Sequence, residues 1–285
     1  MATRLKWRKS VNVHSDSAMD LDFLKMLKNC GFDGIDLNFS GDFFEKDHEM
    51  KAHMICDNLQ EAGLSCPQVH LPTYGLFEDC GKDDPVVEDC IAKTLKIMPI
   101  LGAKWAACHV RSAAESGFDR ERALTQNTHW LKGLCSVAQQ YGSGIAVENL
   151  PTFPDRPDAP FFSSVVEDQC ALIDAVDHPL LGACWDFGHA NLNLQHRDKN
   201  QRELLNILGQ RVKIVHVHNN YKTRDSHLPL SIGFVDWFDA IAGLRDIGFD
   251  GFFSLESGCG SGSDQLKRAY CEFSAKATDI ILEEN

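Results

Sequence analysis

The chain has 285 residues, of which 44% are hydrophobic and 24% are charged, and its formal net charge at pH 7 is −13. This composition is typical of a globular domain and argues against a disordered, collagen-like or coiled-coil protein. Non-specific binding to nucleic acid or to an anionic membrane needs an excess of Lys and Arg, so the acidic balance argues against both partners.

The cysteines and the apolar runs predict a cytoplasmic protein. The 11 Cys are odd in number and contain no C-x-x-C pair, so we interpret them as mostly reduced core residues rather than a disulfide framework. No apolar run of the signal-peptide type follows the basic residues near the start of the sequence. The longest apolar stretch, 97–101, is far shorter than the roughly 20 residues that span a bilayer.

A module of helix, glycine and short apolar strand recurs along the chain. After a first strand over 7–14, a helix is expected to begin at Ser17, where Asp20 completes a capping-box pattern, and to stop at Gly31. Later helices are predicted over 49–61, 86–101, 124–140, 164–176, 201–208, 237–245 and 264–282. Between successive helices lies a short apolar strand that ends in a polar residue.

Eight strands, each followed by a helix, predict an α/β protein of the (β/α)8 TIM-barrel type. The repeat has the length of one βα unit, and strict alternation implies a parallel sheet. An open doubly wound sheet is the alternative, but no G-x-G-x-x-G follows any strand. No segment stands out as a linker, so we expect a single barrel domain over 1–285.

Imidazoles and carboxylates lie at the predicted strand ends, which meet at one face of a barrel. They are His14, His70, His109, Glu148, Asp186, His216 and Glu256, with His189, Asp225 and His227 a few residues beyond strands six and seven. No Cys occupies a comparable position, so the ligands are nitrogen and oxygen. Such ligands suit Mn, Mg, Co, Zn or Fe(II), and the pattern predicts a divalent-metal site.

Seven phrases resemble the xylose isomerase-like TIM barrel superfamily, which includes sugar phosphate isomerases/epimerases and AP endonuclease family 2. They are GFDGIDL, VHLP, VENL, WDFGHANL, VHVHNN, DSHLP and SLES, and the resemblance covers nearly the whole chain. The resemblance implies that one divalent metal is bound by Glu148, Asp186, His216 and Glu256. His216 and His218 lie on the same strand face, so His218 stays open as a pocket residue or substitute ligand.

The resemblance also implies an activity. It is isomerisation or epimerisation of a small-molecule carbohydrate (a sugar, sugar phosphate or polyol) by proton transfer next to a carbonyl, through a metal-stabilised enediolate. Glu148 and Glu256 are the expected catalytic pair, and Arg111 is expected to line the pocket and to hold an anionic group. A homo-oligomer, either a dimer or a tetramer, is expected from the same resemblance.

The sequence is also compatible with other activities and with more than one metal ion. Endonuclease IV, in the same superfamily, resembles a tri-zinc version of this barrel, and its additional ligands would correspond to His70, His109, His189, Asp225 and His227. More than one ion, and an endonuclease IV-like phosphodiesterase activity, are therefore alternatives. A lyase or dehydratase could use the same enediolate, and a non-enzymatic sugar-binding relative is a third class. The complete ligand set argues against that third class.

Overall fold

The strands form a closed parallel barrel, as the sequence predicts. The computed structural model describes residues 7–73, 85–111, 119–152, 161–193, 196 and 198–284. The eight strands pair in chain order, and β1 pairs with β8 to close the sheet. They are β1 (Lys9–His14), β2 (Gly34–Asn38), β3 (Ser65–His70), β4 (Trp105–Cys108), β5 (Gly144–Glu148), β6 (Leu181–Asp186), β7 (Val212–Val217) and β8 (Phe253–Leu255).

Helices lie between successive strands, and a last helix follows β8. They are α1 (Ser15–Ala18), α2 (Leu21–Asn29), α3 (His48–Ala62), α4 (Pro85–Leu101), α5 (Arg120–Tyr141), α6 (Val166–Val176), α7 (Phe187–Leu192), α8 (Gln201–Leu208), α9 (Trp237–Asp246) and α10 (Asp264–Glu284). Short 3-10 turns occur at Gly41–Phe44 and Gly209–Arg211. Helix α7, which begins directly after β6 and whose N-cap is Asp186, is not among the helices predicted from the sequence.

None of the helices in the described ranges has both the length and the apolar character that crossing a bilayer requires.

Below the ends of β4 to β7, the interior of the barrel is filled by small and apolar side chains. Ala107, Ala146, Cys184 and Ile214 form a buried cluster of their own, against which Trp105 packs. Side chains two residues apart on a strand share a face, so His109, Glu148, Asp186 and His216 lie on the same faces, one step nearer the C-terminal ends. Cys184 packs in this apolar cluster, and its Sγ also lies within 4.8 Å of a ligand atom of Glu148 and of His216.

The seam between β1 and β8 is held by the last helix. Lys9, on β1, is buried, and its Nζ lies 2.6 Å from Oδ1 of Asp279 and 3.3 Å from the carbonyl oxygen of Ala275, both on α10. A buried ammonium is costly without such partners, so α10 is tied to the strand that closes the sheet.

The expected helix start at Ser17 is wrong. Ser17 belongs to the single turn α1, and a separate helix begins at Leu21. The side chain of Asp20 is the N-cap, and it accepts hydrogen bonds from the backbone N–H groups of Asp22 and Phe23 at 2.9 and 3.2 Å. Asp is as good an N-cap as Ser, and the sequence pattern contained both.

Replacing the N-cap tests this boundary directly. We expect Asp20→Ala to lower the free energy of unfolding by about 1 kcal/mol, because two backbone N–H groups of α2 lose their acceptor. Ser17→Ala is the matched control and should change it by less than about 0.5 kcal/mol. Urea denaturation of the three proteins measures both values, and a larger loss in Ser17→Ala would contradict the structure.

His196 links the loop after α7 to the start of α6. Its buried Nε2 accepts a hydrogen bond from the backbone N–H of Val166 at 3.2 Å. Only an unprotonated nitrogen can accept this bond. Burial lowers the pKa of His196 to about 4, so the ring stays neutral at pH 7.

This depressed pKa predicts a pH-dependent contribution to stability. The unfolded chain takes up a proton at His196 below about pH 6.5, whereas the folded protein does so only near pH 4, so stability falls as the pH drops through that window. Between pH 7 and pH 4.5 the loss should be about 2 kcal/mol. His196→Gln keeps an acceptor but does not titrate, so its unfolding free energy in urea should fall less over the same range. Equal falls in the two proteins would contradict the assignment.

Candidate metal centre

Four of the expected ligands meet at the C-terminal end of the barrel. Glu148 ends β5, Asp186 ends β6, His216 lies in β7, and Glu256 lies one residue beyond β8. One nitrogen or oxygen atom from each residue lies within 4.8 Å of the corresponding atoms of the other three. Nδ1 of His216 is 3.0 Å from Oε1 of Glu148 and 3.7 Å from Oε1 of Glu256. Only Glu256 among the four reaches solvent, with 13% of its side chain exposed.

A second group shares Glu148. The Nε2 atoms of His70 and His109 lie 3.3 and 3.1 Å from Oε2 of this carboxylate, on the side away from His216. Glu148 thus presents one oxygen to each group, as a bridging ligand does.

A third group forms beyond Asp186 and contains His189, His218, Asp225 and His227. Nε2 of His189 and Nε2 of His227 lie 3.2 and 3.1 Å from Oδ2 of Asp225. Nε2 of His218 is 3.1 Å from Oδ1 of Asp186, so this group adjoins the first. The two strand-seven histidines therefore face different groups, and each has carboxylate neighbours.

Gly188 makes room for His218. A Cβ atom built on Gly188 would lie 1.9 Å from Cε1 of the His218 ring, which no real contact allows. The glycine in the first turn of α7 is thus a steric requirement of the site.

The outer nitrogen of three histidines contacts a backbone carbonyl. Nδ1 of His70 lies 2.7 Å from the Leu71 oxygen, and Nδ1 of His189 lies 2.9 Å from the Asn149 oxygen. Nδ1 of His227 lies 2.8 Å from the backbone carbonyl oxygen of Glu256. A carbonyl oxygen only accepts hydrogen bonds, so each Nδ1–H donates. In the neutral ring, Nε2 then carries a lone pair that faces the groups described above, as metal ligands do.

Several buried side-chain oxygens lack a hydrogen-bond partner within the described part of the chain. Three of them belong to the ligand groups: Oδ2 of Asp186, Oδ1 of Asp225 and Oε2 of Glu256. A buried carboxylate oxygen without a partner is costly, and a bound cation removes that cost. The donors are imidazole nitrogen and carboxylate oxygen, which together suit first-row divalent metals. The residues therefore fit a divalent ion.

The two glutamates have pKa values shifted in opposite directions. Burial by itself raises the pKa of Glu148, but the charge of His216 and hydrogen bonds from His109, His216 and His70 outweigh burial and hold it well below its usual value. Burial raises the pKa of Glu256, and the negative charges of Glu148 and Asp186 reinforce that shift against the opposing charge of His216. Two carboxyl groups of the same ligand group thus have different proton affinities: that of Glu148 is lowered and that of Glu256 is raised.

A cavity of about 280 Å³ opens above the groups. It is lined by His14, Asn38, Phe39, His70, Leu71, Pro72, Thr73, His109, His189, Asp225, His227 and Glu256. Its volume is at the lower end of the range for small-molecule sites, and its wall combines apolar and polar side chains. His14, expected at the site, lines this cavity but belongs to none of the three groups.

Arg111 does not lie in this cavity wall. Its guanidinium pairs with Glu88 of α4 and lies 4.8 Å from the ring centre of Trp130 of α5. Its backbone N–H donates to the side chain of Asn127. The side chain is therefore turned toward the helices, and this geometry does not favour the anion-binding role expected from the sequence.

Two polar residues beneath and beside the ligands, Asp36 and Asn149, were not predicted from the sequence. Asp36 of β2 is fully buried, and its Oδ2 lies 3.0 Å from Nε2 of His216. Asn149 bonds Asp186 twice: its side-chain NH2 donates to the Asp186 carbonyl, and its Oδ1 accepts the Asp186 N–H. A carboxylate in the middle of a buried strand, as Asp36 is in Gly34–Asn38, could have pointed to a polar role. It was not predicted, because only residues at the strand ends were expected to reach the site.

The family is decided by a match over most of the chain. The family model described as "Xylose isomerase-like TIM barrel" matches residues 24–275. The chain belongs to this family. A relative from Methanocaldococcus jannaschii, an uncharacterised protein, is 28% identical over 134 residues, which are 47% of this chain and 43% of the relative. The chain thus matches less than half the length of this curated relative.

Solved structures of the same fold include sugar epimerases and an AP endonuclease. A D-tagatose 3-epimerase-like protein has a TM-score of 0.72 at 20% identity, over 96% of this chain and 98% of its own. The 3-keto-D-glucoside 4-epimerase from E. coli has a TM-score of 0.71 at 15% identity, over 95% and 100%. An AP endonuclease, family 2, from Brucella melitensis has a TM-score of 0.70 at 16% identity, over 95% and 99%. At these identities the likeness shows the shared fold.

Metal addition to chelator-treated protein tests the ligand groups. We expect Mn²⁺, Co²⁺ or Zn²⁺ at 100 times its dissociation constant to add about 2.7 kcal/mol of stability and to raise the melting temperature by roughly 5 °C or more. Asp186→Asn and His216→Gln should lose most of this shift, whereas Arg111→Gln, outside the groups, should keep it. Thermal denaturation with and without metal measures the shift, and an undiminished shift in both ligand variants would show that the ion binds elsewhere.

Proposed function

We propose that the protein is a divalent-metal-dependent sugar isomerase or epimerase that moves a proton at the carbon next to a carbonyl. The observation that carries this proposal is the meeting of Glu148, Asp186, His216 and Glu256 within 4.8 Å, beside a small cavity that Glu256 lines. Two of the four, Glu148 at the end of β5 and Glu256 just beyond β8, are glutamates on strands that are not neighbours in the barrel. The sugar epimerases among the structures of the same fold support a carbohydrate substrate.

The metal would be held by these four side chains. When bound, a divalent cation there supplies positive charge that stabilises the negative charge developing on substrate oxygens next to the reacting carbon. Asp186 is fixed in place by Asn149 and by its own role as N-cap of α7, where its Oδ1 accepts the N–H of His189 at 2.6 Å. The ligand is therefore held rigidly before any substrate binds.

Glu148 and Glu256 would move the proton. Glu256 lines the cavity, and 13% of its side chain is exposed, so this carboxylate is positioned to take or return a proton at the substrate carbon. Glu148 ends β5 and Glu256 follows β8, so they approach from different sides of the barrel. Removal on one side and return on the other inverts a stereocentre, which is epimerisation.

The cavity wall would orient the sugar. His70, His109 and His189 present ring nitrogens toward the interior, where they can bond hydroxyl groups. Phe39, Leu71 and Pro72 form an apolar side that excludes water from the carbon–hydrogen bonds. A small polyhydroxy molecule with one apolar face matches this combination.

A second candidate is an endonuclease IV-like phosphodiesterase. The observation in its favour is that three ligand groups adjoin one another through Glu148 and Asp186, as a trinuclear site requires. The AP endonuclease among the structures of the same fold is consistent with it. The net charge of −13 argues against a DNA substrate, which is why we place the sugar reaction first.

Replacement of the proton-transfer pair tests the main proposal. In a screen of ketohexoses, aldoses and their phosphates with Mn²⁺ or Co²⁺, we expect turnover with uptake of deuterium from D₂O at the carbon next to the carbonyl. Glu148→Gln and Glu256→Gln should lower kcat by about 10²–10⁴-fold, because a side-chain amide cannot act as a general base or a general acid. Glu61→Gln, on the exposed face of α3, is the control and should keep full activity.

Two results would overturn the proposal. One is sugar turnover that both glutamine variants retain. The other is binding of three zinc ions together with cleavage of abasic DNA and no turnover of any sugar, which would establish the second candidate instead.

A further inference from the structure

We infer that Asp36 is a positioning residue that fixes the ring of His216 so that Nδ1, and not Nε2, faces the metal ligands. The inference rests on the metal site of the proposed function and extends it to a residue in β2, on a strand that supplies none of the expected ligands.

The His216 ring lies between carboxylates, with one at each nitrogen. Nε2 is 3.0 Å from Oδ2 of Asp36, and Nδ1 is 3.0 Å from Oε1 of Glu148. All three side chains are inaccessible to solvent. The Asp36 oxygen lies away from the direction of the ring N–H, so its contact with Nε2 is mainly electrostatic rather than a linear hydrogen bond.

Asp36 is itself held by two donors. The Gln68 side-chain NH2 donates to Oδ2 at 2.8 Å, and the hydroxyl of Ser254 donates to the same oxygen at 3.0 Å. Asp36 and Gln68 are register partners across β2 and β3, and His216 and Ser254 are register partners across β7 and β8. Four strands thus contribute to one buried polar cluster below the ligands, which offsets the desolvation of the Asp36 carboxylate.

This arrangement reverses the pattern of the other ligand histidines. In His70, His189 and His227, Nδ1–H contacts a backbone carbonyl and Nε2 faces inward. In His216 the outer nitrogen is Nε2, and its neighbour is a carboxylate side chain. A carboxylate has no proton to give and repels a lone pair, so Asp36 favours the ring form with the proton on Nε2 and the lone pair on Nδ1.

The variant test compares metal affinity with and without this carboxylate. We expect Asp36→Asn to weaken Co²⁺ binding by about 10–100-fold and to change the visible absorption spectrum of the bound Co²⁺, because the ring is no longer held in one orientation. Ser254→Ala is the matched control: it removes one donor to Asp36 but leaves the His216 contact, and should change Co²⁺ affinity by less than about threefold. Urea denaturation establishes that each variant is folded.

A measurement on the unaltered protein gives an answer even if Asp36→Asn does not fold. In the Zn²⁺-loaded protein with ¹⁵N-labelled histidine, long-range ¹H–¹⁵N spectra report which ring nitrogen carries the proton. We expect a protonated Nε2 and a metal-bound Nδ1 for His216, identified by loss of its signals in His216→Gln. A proton on Nδ1 with the metal on Nε2 would overturn the inference.

These readouts separate the inference from the proposed function, since neither depends on sugar turnover. A folded Asp36→Asn protein that binds Co²⁺ within about threefold of the unaltered protein contradicts the positioning role, whatever its activity. Failure of every sugar to react, with the expected Co²⁺ and Zn²⁺ results, overturns the proposed reaction and leaves the role of Asp36 standing. An unaltered protein that binds neither ion overturns the metal site and the inference together.

Discussion

Glu148 is a carboxylate with no access to solvent, and the polar interior of the barrel is organised around it. Its two oxygens face histidines from three strands, His70 on β3, His109 just beyond β4 and His216 on β7. Burial of one charge without such neighbours is too costly to persist in a folded protein. The requirement to compensate this charge therefore fixes the side chains of elements far apart in the sequence, and the positions of the other ligands depend on theirs.

Barrel closure is what allows one carboxylate to meet so many partners. In a closed parallel sheet the C-terminal ends of all strands lie at the same opening of the barrel. Along each strand, alternate side chains point into the interior. Small and apolar residues such as Ala146 and Cys184 lie below the ligands of β5 and β6, and the buried polar cluster around Asp36 lies below His216. Electrostatic interactions are stronger there than at the surface, which favours both metal binding and proton transfer.

The sequence predicted the features that depend on local pattern. Apolar strands and glycine-terminated helices alternate along the chain, and each can be identified from its own residues. The eight strands and the residues at their ends could therefore be predicted. What escaped prediction depends on long-range contact. Arg111 follows a strand end and was expected in the pocket, but Glu88 and Trp130, on two different helices, attract its guanidinium. Asp36 could not be connected with His216, because 180 residues separate partners that only closure brings together.

The tie between Lys9 and α10 has a consequence for how the protein is made. The first strand cannot complete its pairing until β8 exists, and its buried ammonium has no partner until Ala275 and Asp279 follow. During synthesis the earlier βα units can form in order, but Glu256 and the closing seam emerge late. The ligand group that includes Glu256 can therefore be complete only in the finished barrel.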